Sequence, residues 1–595
     1  MPVFLERHFR MLAAILLLVM TTAEFAALRR DSQANDESFH LLAGYRYLKT
    51  GALALGSEHP PLAQLIAAFP LLFLKLRLPA AHLEAGESQE YAREQEFIYA
   101  NRYPAETILL WARSAAALWA VALGLVLAWW ARRHFGAGPA LAALLVLAFD
   151  PGFLAHGHYT NNDVPVALCF LAGVLSCNAF LTTGRLSQAV ACGALSGIAM
   201  STKYSSLLLF PIYILLYGAS RLRRPDAGAP FQHSWSHLVK SGLSLGTTMF
   251  LVVFAIFRFE TRPLVPSELM KNPEPVSVKI LKHTELLGGL APAIVGHPER
   301  LVLLDTLLQR TPVPAASFFR GLFLVTHHGS AGHPTYFLGQ YSQRGWWYYF
   351  PVVLAIKTPT GLLLLFLLSL AVAARALLRD GFSAAFGKLR RASPDWSALT
   401  VPPAFYLLVG VQSHINIGIR HMLPMFPFVF LWVAAVLFSS RMDAPRWVRR
   451  SALVCLALVV LESVWAFPND LGFFNFPSGG ARMGPHYVVD SNLDWGQDMI
   501  RLKEYLASRK ATNVCLSYFG VAPPAYFGIQ SAPVPARLED ARNSGCAVVV
   551  MSNTQFAFDG GNERRFQWLS GLKPADYVGT SFRVYHLPAA AFERQ

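Results

Sequence analysis

Long apolar segments recur along this chain, and they constrain its fold more than any other feature. About 20 mostly apolar residues are needed to cross the roughly 30 Å hydrocarbon layer of a bilayer. The candidate spans are residues 11–29, 105–131, 139–155, 164–183, 187–201, 205–220, 240–257, 359–376, 398–413, 421–438 and 451–467. Hydrophobic residues make up 54% of the 595 residues and charged residues only 15%. The sequence therefore predicts an α-helical polytopic membrane protein with 11 transmembrane helices, the first of them retained as a helix.

The distribution of basic residues predicts how these helices are oriented. Short cytoplasmic loops collect Lys and Arg, so the basic residues should alternate between successive loops. With the N-terminus inside, the inner loops carry Arg7, Arg10, Arg132, Arg133, Arg185, Arg221, Arg223, Arg224, Arg375, Arg379, Lys388, Arg390, Arg391, Arg441, Arg446, Arg449 and Arg450. This pattern accounts for the net charge of +15 without nucleic acid as a partner. It also requires residues 61–78 to lie on the outer surface as an interfacial or re-entrant helix rather than to cross.

Three long segments then lie outside the membrane, namely residues 30–104, 258–346 and 468–595. The last of these alternates short β-rich runs with helical stretches, which predicts a small extracytoplasmic α/β domain. We therefore divide the chain into a membrane domain, 1–467, and a C-terminal domain, 468–595. Cys515 and Cys546 fall in two of the predicted strands, where a disulfide and two buried free thiols are both compatible with the sequence.

Ionisable residues gather at the predicted outer ends of the helices. They are Asp36, Glu37, Glu58, His59, Asp163, Lys203, Lys357, Arg420 and His421. The cytoplasmic loops hold mainly Arg and contain no comparable set of acids and bases. An outer cavity that combines two acids with several cations is the pattern expected for handling a phosphate at the membrane surface.

The stretch QANDESFHLLAGYRYL, residues 33–48, contains the acidic pair that follows the first span. Its apolar residues recur at helical spacing, which predicts a helix lying in the membrane interface. Asp36 and Glu37 fall in the first turn, where the helix dipole favours a carboxylate that can act as a base. The alternative is that the pair only caps the helix.

The other candidates also have structural explanations. Asp163 begins a predicted helix and could be an N-cap. Lys203, Lys357 and Arg420 could extend to the outer headgroups. The stretch DSNLDWGQD, residues 490–498, has three acids, for which helix capping is favoured over a calcium site.

Several of these segments together resemble a known superfamily. They are the pair Asp36-Glu37, EHPPLAQL (58–65), NNDVPVAL (161–168), TKYSSLLLFP (202–211), GHPTYFLGQYSQRGWWYYFPVVLAIKTP (332–359) and NIGIRHMLPMFPF (416–428). The ordered set resembles the GT-C membrane glycosyltransferases that use polyprenyl-phosphate sugars, such as the protein O-mannosyltransferases and the lipid A aminoarabinose transferases.

The resemblance assigns roles to individual residues. It implies that Asp36 is the catalytic base and that Asp163 is a second acid, with Glu37 beside the base. It implies that Lys203, Arg420, His421 and Lys357 bind the donor phosphate. The matching segments also contain Glu58, His59, His333 and Tyr336, which we assign as candidate substrate-binding residues.

The resemblance implies an inverting transfer of a sugar from a polyprenyl-phosphate donor to an acceptor hydroxyl on a protein, a lipid or a glycan. The expected place is the outer face of the cytoplasmic membrane, among membrane lipids. The sequence establishes no cofactor. A divalent metal is compatible with it, although His327, His328 and His333 are irregularly spaced for a metal site. Two alternatives are a transporter or flippase of lipid-linked sugars, with acids near the bilayer midplane, and a non-catalytic membrane scaffold.

Overall fold

The computed structural model describes residues 2–53, 58–80, 87–222, 234–264, 310–380, 394–439, 444–562 and 565–587. The predicted inner-loop residues Arg223, Arg224, Lys388, Arg390, Arg391 and Arg441 lie outside these residues, as does much of the predicted outer segment 258–346. The helices before the last outer segment are α1 (Pro2–Leu28), α2 (Glu37–Thr50), α3 (Leu62–Ala68), α4 (Glu87–Tyr99), α5 (Ala105–Phe135), α6 (Ala137–Ala148), α7 (Pro151–His158), α8 (Asp163–Thr183), α9 (Leu186–Met200), α10 (Leu209–Arg221), α11 (Trp235–Ile256), α12 (Ala316–Ala331), α13 (Tyr349–Lys357), α14 (Thr360–Asp380), α15 (Pro394–Val411), α16 (Phe426–Phe438) and α17 (Arg446–Ala466).

The described helices make this chain a multi-pass membrane protein. Six stretches are long and apolar enough to cross a bilayer: Val3–Leu28, Ala105–Phe135, Asp163–Thr183, Trp235–Ile256, Thr360–Arg379 and Ile419–Phe438. Helices α6 and α7 form a pair bent by 63°, which would make a seventh span. The remaining predicted spans coincide with α9, α10, α15 and α17, which are shorter or carry more charge.

The segment 61–78 does not form a spanning helix. Helix α3 continues as a 3-10 helix, Phe69–Leu74, which ends at Lys75. The apolar stretch Leu62–Leu74 is too short to cross a bilayer as a helix. Phe69 and Phe73, which lie within this stretch, have exposed side chains. Their exposure fits the predicted interfacial position.

Helix α2 differs from its predicted environment. The apolar stripe predicts a helix lying on the membrane surface, whereas the residues from Leu41 to Tyr47 are all buried within the protein. Helix α2 packs against α3 and α4. Gly44 permits the close approach to α3, because a Cβ at this position would collide with the carbonyl oxygen of Gln64.

The chain beyond residue 467 contains the short helices α18 (Gly484–Tyr487), α19 (Met499–Ser508), α20 (Leu538–Asn543) and α21 (Asn553–Asn562). The strands of the protein are β1 (Thr261–Pro263), β2 (Pro312–Pro314), β3 (Thr335–Phe337), β4 (Gln340–Ser342), β5 (Val514–Ser517), β6 (Ser531–Pro533), β7 (Val548–Ser552), β8 (Asp576–Val578) and β9 (Phe582–His586).

The last five strands form one sheet in the order β6-β5-β7-β9-β8. Strand β5 pairs in parallel with β6 and β7, and β9 pairs antiparallel with β7 and β8. This mixed sheet with its helices is the predicted small α/β unit. The boundary at residues 467 and 468 stays a prediction.

Two cysteines lie in the C-terminal unit, and the other four lie in the membrane helices. Cys515 and Cys546 form a disulfide, with their Cα atoms 5.7 Å apart, which decides between the two alternatives that the sequence leaves open. Cys169, Cys177 and Cys192 are free and buried in helices, and Cys455 is partly buried. These four side chains pack as small apolar groups.

Candidate active site

The Asp36 carboxylate lies where the first outer segment enters α2. Asp36 occupies the N-cap position, but its side chain accepts no capping hydrogen bond. Its Oδ2 atom instead accepts a hydrogen bond from the Arg420 guanidinium over 3.1 Å. The side chain remains 32% exposed, so it can be reached from outside. The capping explanation for Asp36 is therefore wrong.

The same guanidinium connects Asp36 to the second predicted acid. Arg420 lies 3.7 Å from the Asp163 carboxylate, and the Lys203 ammonium donates to that carboxylate over 2.6 Å. Asp163 is buried at the start of α8, and Asn162 rather than Asp163 occupies the N-cap. Neither cation extends toward lipid headgroups as snorkelling would require. The structure thus brings together two acids and two cations, which we call the Asp36 cluster: Asp36, Asp163, Lys203 and Arg420.

Polar atoms without partners surround this cluster. Within the described part of the chain, the buried Nε atom of Arg420 has no hydrogen-bond partner, and neither has Nδ1 of His156. The side-chain amide of Asn162, next to Asp163, is buried with both its nitrogen and its oxygen unpaired. Buried polar groups are nearly always satisfied. His156 lies near Arg420, so a polar ligand that entered beside Arg420 could supply partners for both of these side chains.

Histidines line the same region. His421 follows Arg420 and lies close to Lys203 and Asp163. His40, on α2, bonds through Nδ1 to the Gln64 amide over 3.1 Å and lies near Asp36. His59 contacts the His40 ring, with the centroids 5.1 Å apart. Burial lowers the pKa of His40 to about 4 and that of His59 to about 3. Both imidazoles are therefore neutral at pH 7.

The remaining predicted residues lie around the cluster or apart from it. Glu58 lies 3.5 Å from His328, whose ring stacks on His333. Tyr336 packs on Tyr341 within the β3-β4 hairpin. No described contact joins Glu58 or Tyr336 to Asp36.

Lys357 has a different environment from the other cations. Its ammonium is buried and donates to the carbonyl oxygens of Leu471, over 2.8 Å, and of Asn492. Burial lowers the pKa of Lys357 to about 7. The structure thus connects Lys357 to the segment after α17 rather than to Arg420.

Glu37 is held by an arginine that the sequence reasoning missed. Arg113 lies within α5, and both residues are buried, with 1% of each side chain exposed. The guanidinium donates to both carboxylate oxygens of Glu37, over 2.9 and 2.6 Å. It also donates to the carbonyl oxygens of Leu28, Asp31 and Ser32. All five N–H groups of Arg113 therefore hold the loop that carries Asp36. A lone arginine in the apolar run ILLWARSAAALW was the available signal.

The C-terminal segment also reaches the cluster. The ring of Trp495 lies under the Arg420 guanidinium, with Cζ 4.4 Å from the ring centroid. Asp490 lies near Arg420 and His333, and burial raises its pKa. Its backbone has a φ of 59°, a left-handed conformation that is uncommon for residues other than glycine.

The acids of residues 490–498 do not cap the helices next to them in sequence, because the N-cap of the 3-10 helix Asp490–Asn492 is Val489 and the Asp498 side chain accepts no capping hydrogen bond from α19; the favoured local explanation is therefore wrong. Asp494 accepts hydrogen bonds from Ser552 and from the backbone of Thr554. Asp498 precedes α19 without capping it and accepts from Thr580 and Ser581. Asp494 therefore binds the end of β7 and the first turn of α21, and Asp498 binds the turn before β9. Sequence patterns could not reveal this, because the partners lie more than 50 residues away.

Among the described residues, no group of three or more His, Cys, Asp or Glu side chains is arranged to hold a metal ion. His328 and His333 stack on one another, and the pattern 327–333 gives no metal site there.

A family model supplies the comparison for the membrane part. Residues 109–257 match the model described as dolichyl-phosphate-mannose-protein mannosyltransferase. The match confirms the resemblance to the polyprenyl-phosphate-sugar glycosyltransferases. The matched segment contains Arg113, Asp163 and Lys203, whereas Asp36 and Arg420 lie outside it. No curated protein matches the chain.

Two solved structures align over nearly the whole chain. The first is ArnT from Cupriavidus metallidurans in the apo state, with 15% identity over 98% of this chain and 99% of that chain and a TM-score of 0.32. The second is the oligosaccharyltransferase AglB from Archaeoglobus fulgidus, with 13% identity over 97% of this chain and 75% of that chain and a TM-score of 0.43. TM-scores this low do not establish a common fold.

Proposed function

We propose that this protein is a membrane glycosyltransferase that moves a sugar from a polyprenyl-phosphate donor to an acceptor hydroxyl, with inversion at the anomeric carbon. The observation that carries the proposal is the Asp36 cluster, in which a partly exposed carboxylate and two cations meet. The family match over residues 109–257 supports the lipid-linked donor. The acceptor is a hydroxyl-bearing protein, lipid or glycan.

Asp36 takes the proton of the acceptor hydroxyl in this mechanism. The acceptor oxygen forms a bond to the anomeric carbon, while the bond from that carbon to the phosphate oxygen breaks. The electron pair of the broken bond leaves with the polyprenyl phosphate. A positioned general base contributes about 10²–10⁴-fold to such a step. Asp36 suits this role because it is the more exposed of the two acids, with 32% of its side chain accessible.

Arg420 and Lys203 stabilise the negative charge that develops on the leaving phosphate. Each is paired with a carboxylate, so the cluster carries two positive and two negative groups. The unpartnered Nε of Arg420 supplies a further donor for a phosphate oxygen. Asp163 holds both cations and, in this proposal, positions them. Glu37 is buried and fully paired, so we assign it to positioning the loop rather than to chemistry.

The proposed location is the outer face of the cytoplasmic membrane. Disulfides form and persist in oxidising compartments, and Cys515 and Cys546 are joined. The C-terminal unit contacts the Asp36 cluster through Trp495. The disulfide and the cluster therefore belong on the same, non-cytoplasmic side.

Replacement of Asp36 by Asn tests the proposal. We expect purified Asp36→Asn protein to lose about 10²–10⁴-fold in turnover of labelled polyprenyl-phosphate mannose or aminoarabinose. Binding of undecaprenyl phosphate should persist, because Arg420 and Lys203 remain. Glu106→Gln is a matched control, since Glu106 is an exposed acid on α5 that contacts only Tyr526 among the described residues. Equal turnover by Asp36→Asn and wild-type protein would exclude Asp36 as the base.

A further inference from the structure

Trp495 is an unusual residue to find beneath an active-site arginine. It belongs to the segment between the 3-10 helix Asp490–Asn492 and α19, which follows the last membrane helix in the sequence. Its side chain is nevertheless 1% exposed and is the largest of the fully buried side chains in the described residues. Its ring packs edge-on against His156 and Tyr159, with centroids 5.8 and 5.9 Å away.

Trp495 contacts both sides of the Asp36–Arg420 ion pair, through its ring on one side and its backbone carbonyl on the other. The face of the ring lies 4.4 Å from Cζ of Arg420. The carbonyl oxygen accepts a hydrogen bond from the backbone of Asn35, the residue before Asp36, over 2.8 Å. One residue therefore supports both partners of an ion pair whose members are 384 positions apart.

Neighbouring residues hold Trp495 in place on both sides. Toward the Asp36 loop, the Ser32 backbone donates to the Gln497 carbonyl, and Met499 donates to the Ser32 hydroxyl. Toward Arg420, the Asn492 side chain accepts from the backbone of Ile419, and Ser491 donates to the Ile417 carbonyl. Residues 491–499 thus form a bridge between the base and the phosphate-binding cation.

We propose that Trp495 is a positioning residue for the transfer reaction; the proposal rests on the function proposed above. Its aromatic face fixes the plane of the Arg420 guanidinium through a cation–π contact in a site largely removed from solvent. A stacked guanidinium keeps its N–H groups in the plane free. Nη1 of Arg420 lies 3.1 Å from the Asp36 carboxylate and 3.7 Å from the Asp163 carboxylate, and Nε has no partner among the described residues and so remains available for a phosphate oxygen. The C-terminal segment is thereby a component of the active site.

The test measures steady-state kinetics on the full-length protein with a polyprenyl-phosphate sugar that the wild-type protein turns over. We expect Trp495→Leu to raise the KM for the donor about 10-fold and Trp495→Phe to raise it less, since phenylalanine keeps an aromatic face. Inhibition by undecaprenyl phosphate should weaken in parallel. Trp568→Leu is the matched control, because Trp568 contacts the Pro535 carbonyl within the same C-terminal unit.

A double-mutant cycle with Arg420→Lys separates positioning of the Arg420 guanidinium from a general disturbance of the fold. Lysine lacks the planar guanidinium, so Trp495 has nothing to position in that background. In the Arg420→Lys background, the Trp495 substitutions should have little further effect on donor KM. Should Trp495→Leu fail to fold, the cycle is run with Trp495→Phe. A lower kcat with unchanged KM, or independent effects of the two substitutions, would overturn the assignment. A wild-type protein that transfers no sugar from any donor would instead refute the proposed function.

Discussion

At the scale of single residues, Arg113 determines where the candidate base lies. It makes five hydrogen bonds, two to Glu37 and three to backbone carbonyls of the loop before Asp36. Removing one partner of a buried ion pair leaves an uncompensated charge, which is far more costly than replacing both partners. Arg113 therefore matters to the site although it does not touch the Asp36 carboxylate in the described contacts.

We predict that Arg113→Met destabilises the protein by about 3–5 kcal/mol, because Glu37 is left buried and unpaired. Thermal unfolding in detergent would detect this as a lower Tm. The double variant Arg113→Met with Glu37→Met should recover much of the stability but little of the activity, because the loop carbonyls still lack their donor.

Arg132→Met provides the control on the same helix. Arg132 is partly exposed, pairs with Glu6 over 3.7 Å and lies over the ring of Phe9, so its loss should cost about 1 kcal/mol, well below the loss expected for Arg113. A similar loss of Tm in Arg113→Met and Arg132→Met would contradict the role given to Arg113.

At the scale of elements, α2 shows how an interior helix can resemble a surface helix in sequence. Its apolar stripe is real, but the residues on its other sides are buried as well. His40 is among them, paired with Gln64 of α3. A stripe of apolar side chains can face lipid or protein equally well, so periodicity alone could not distinguish the two environments.

This burial makes the stability of the protein depend on pH. The pKa of His40 falls from its usual value near 6.5 to about 4 in the folded protein. The unfolded chain therefore binds that proton more readily, and stability decreases as the pH is lowered from about 6.5 to about 4. We expect His40→Gln to flatten this part of the profile of Tm against pH.

His486→Gln should leave the profile unchanged, because His486 is exposed. His59 contributes a loss of the same sign at low pH, since its pKa is also lowered by burial, to about 3. A wild-type profile that is level between pH 6.5 and 4 would rule out buried neutral imidazoles at these positions.

At the scale of the whole molecule, the membrane helices and the C-terminal unit share one site on one side. The loop of Asp36, the turn of Arg420 and residues 491–499 are hydrogen-bonded to one another. The predicted orientation places all three outside and the loop at Arg185 inside.

Labelling of single cysteines tests this orientation. In intact cells, a membrane-impermeant maleimide should modify Lys573→Cys, which replaces an exposed residue of the C-terminal unit. Arg185→Cys, also at an exposed position, should react only after the membrane is permeabilised. The reverse pattern would place the site on the cytoplasmic side.

The sequence predicted the membrane helices and the members of the Asp36 cluster, because helix length, charge alternation and motif order can be recognised without knowing any tertiary contact. It could not predict Arg113 as the partner of Glu37, since their contact depends on how α5 packs on the first loop. Trp495 was equally hidden, because its contacts with Arg420, Asn35, His156 and Tyr159 all join segments that are distant in sequence. The sequence also suggested that Asp36 and the acids of residues 490–498 cap the helices next to them. This was wrong, because these carboxylates accept hydrogen bonds from residues that are distant in sequence.

The hydrogen bond between Asn35 and the Trp495 carbonyl joins the beginning of the chain to its last quarter. Translation proceeds from the N-terminus, so the helices that carry most of the reactive groups enter the bilayer before residues 491–499 exist. Until residues 491–499 have been synthesised, the Asp36 loop and Arg420 are not joined by the bridge that these residues form. The proposed role of Trp495 therefore implies that the transferase activity arises only when synthesis of the chain is nearly complete.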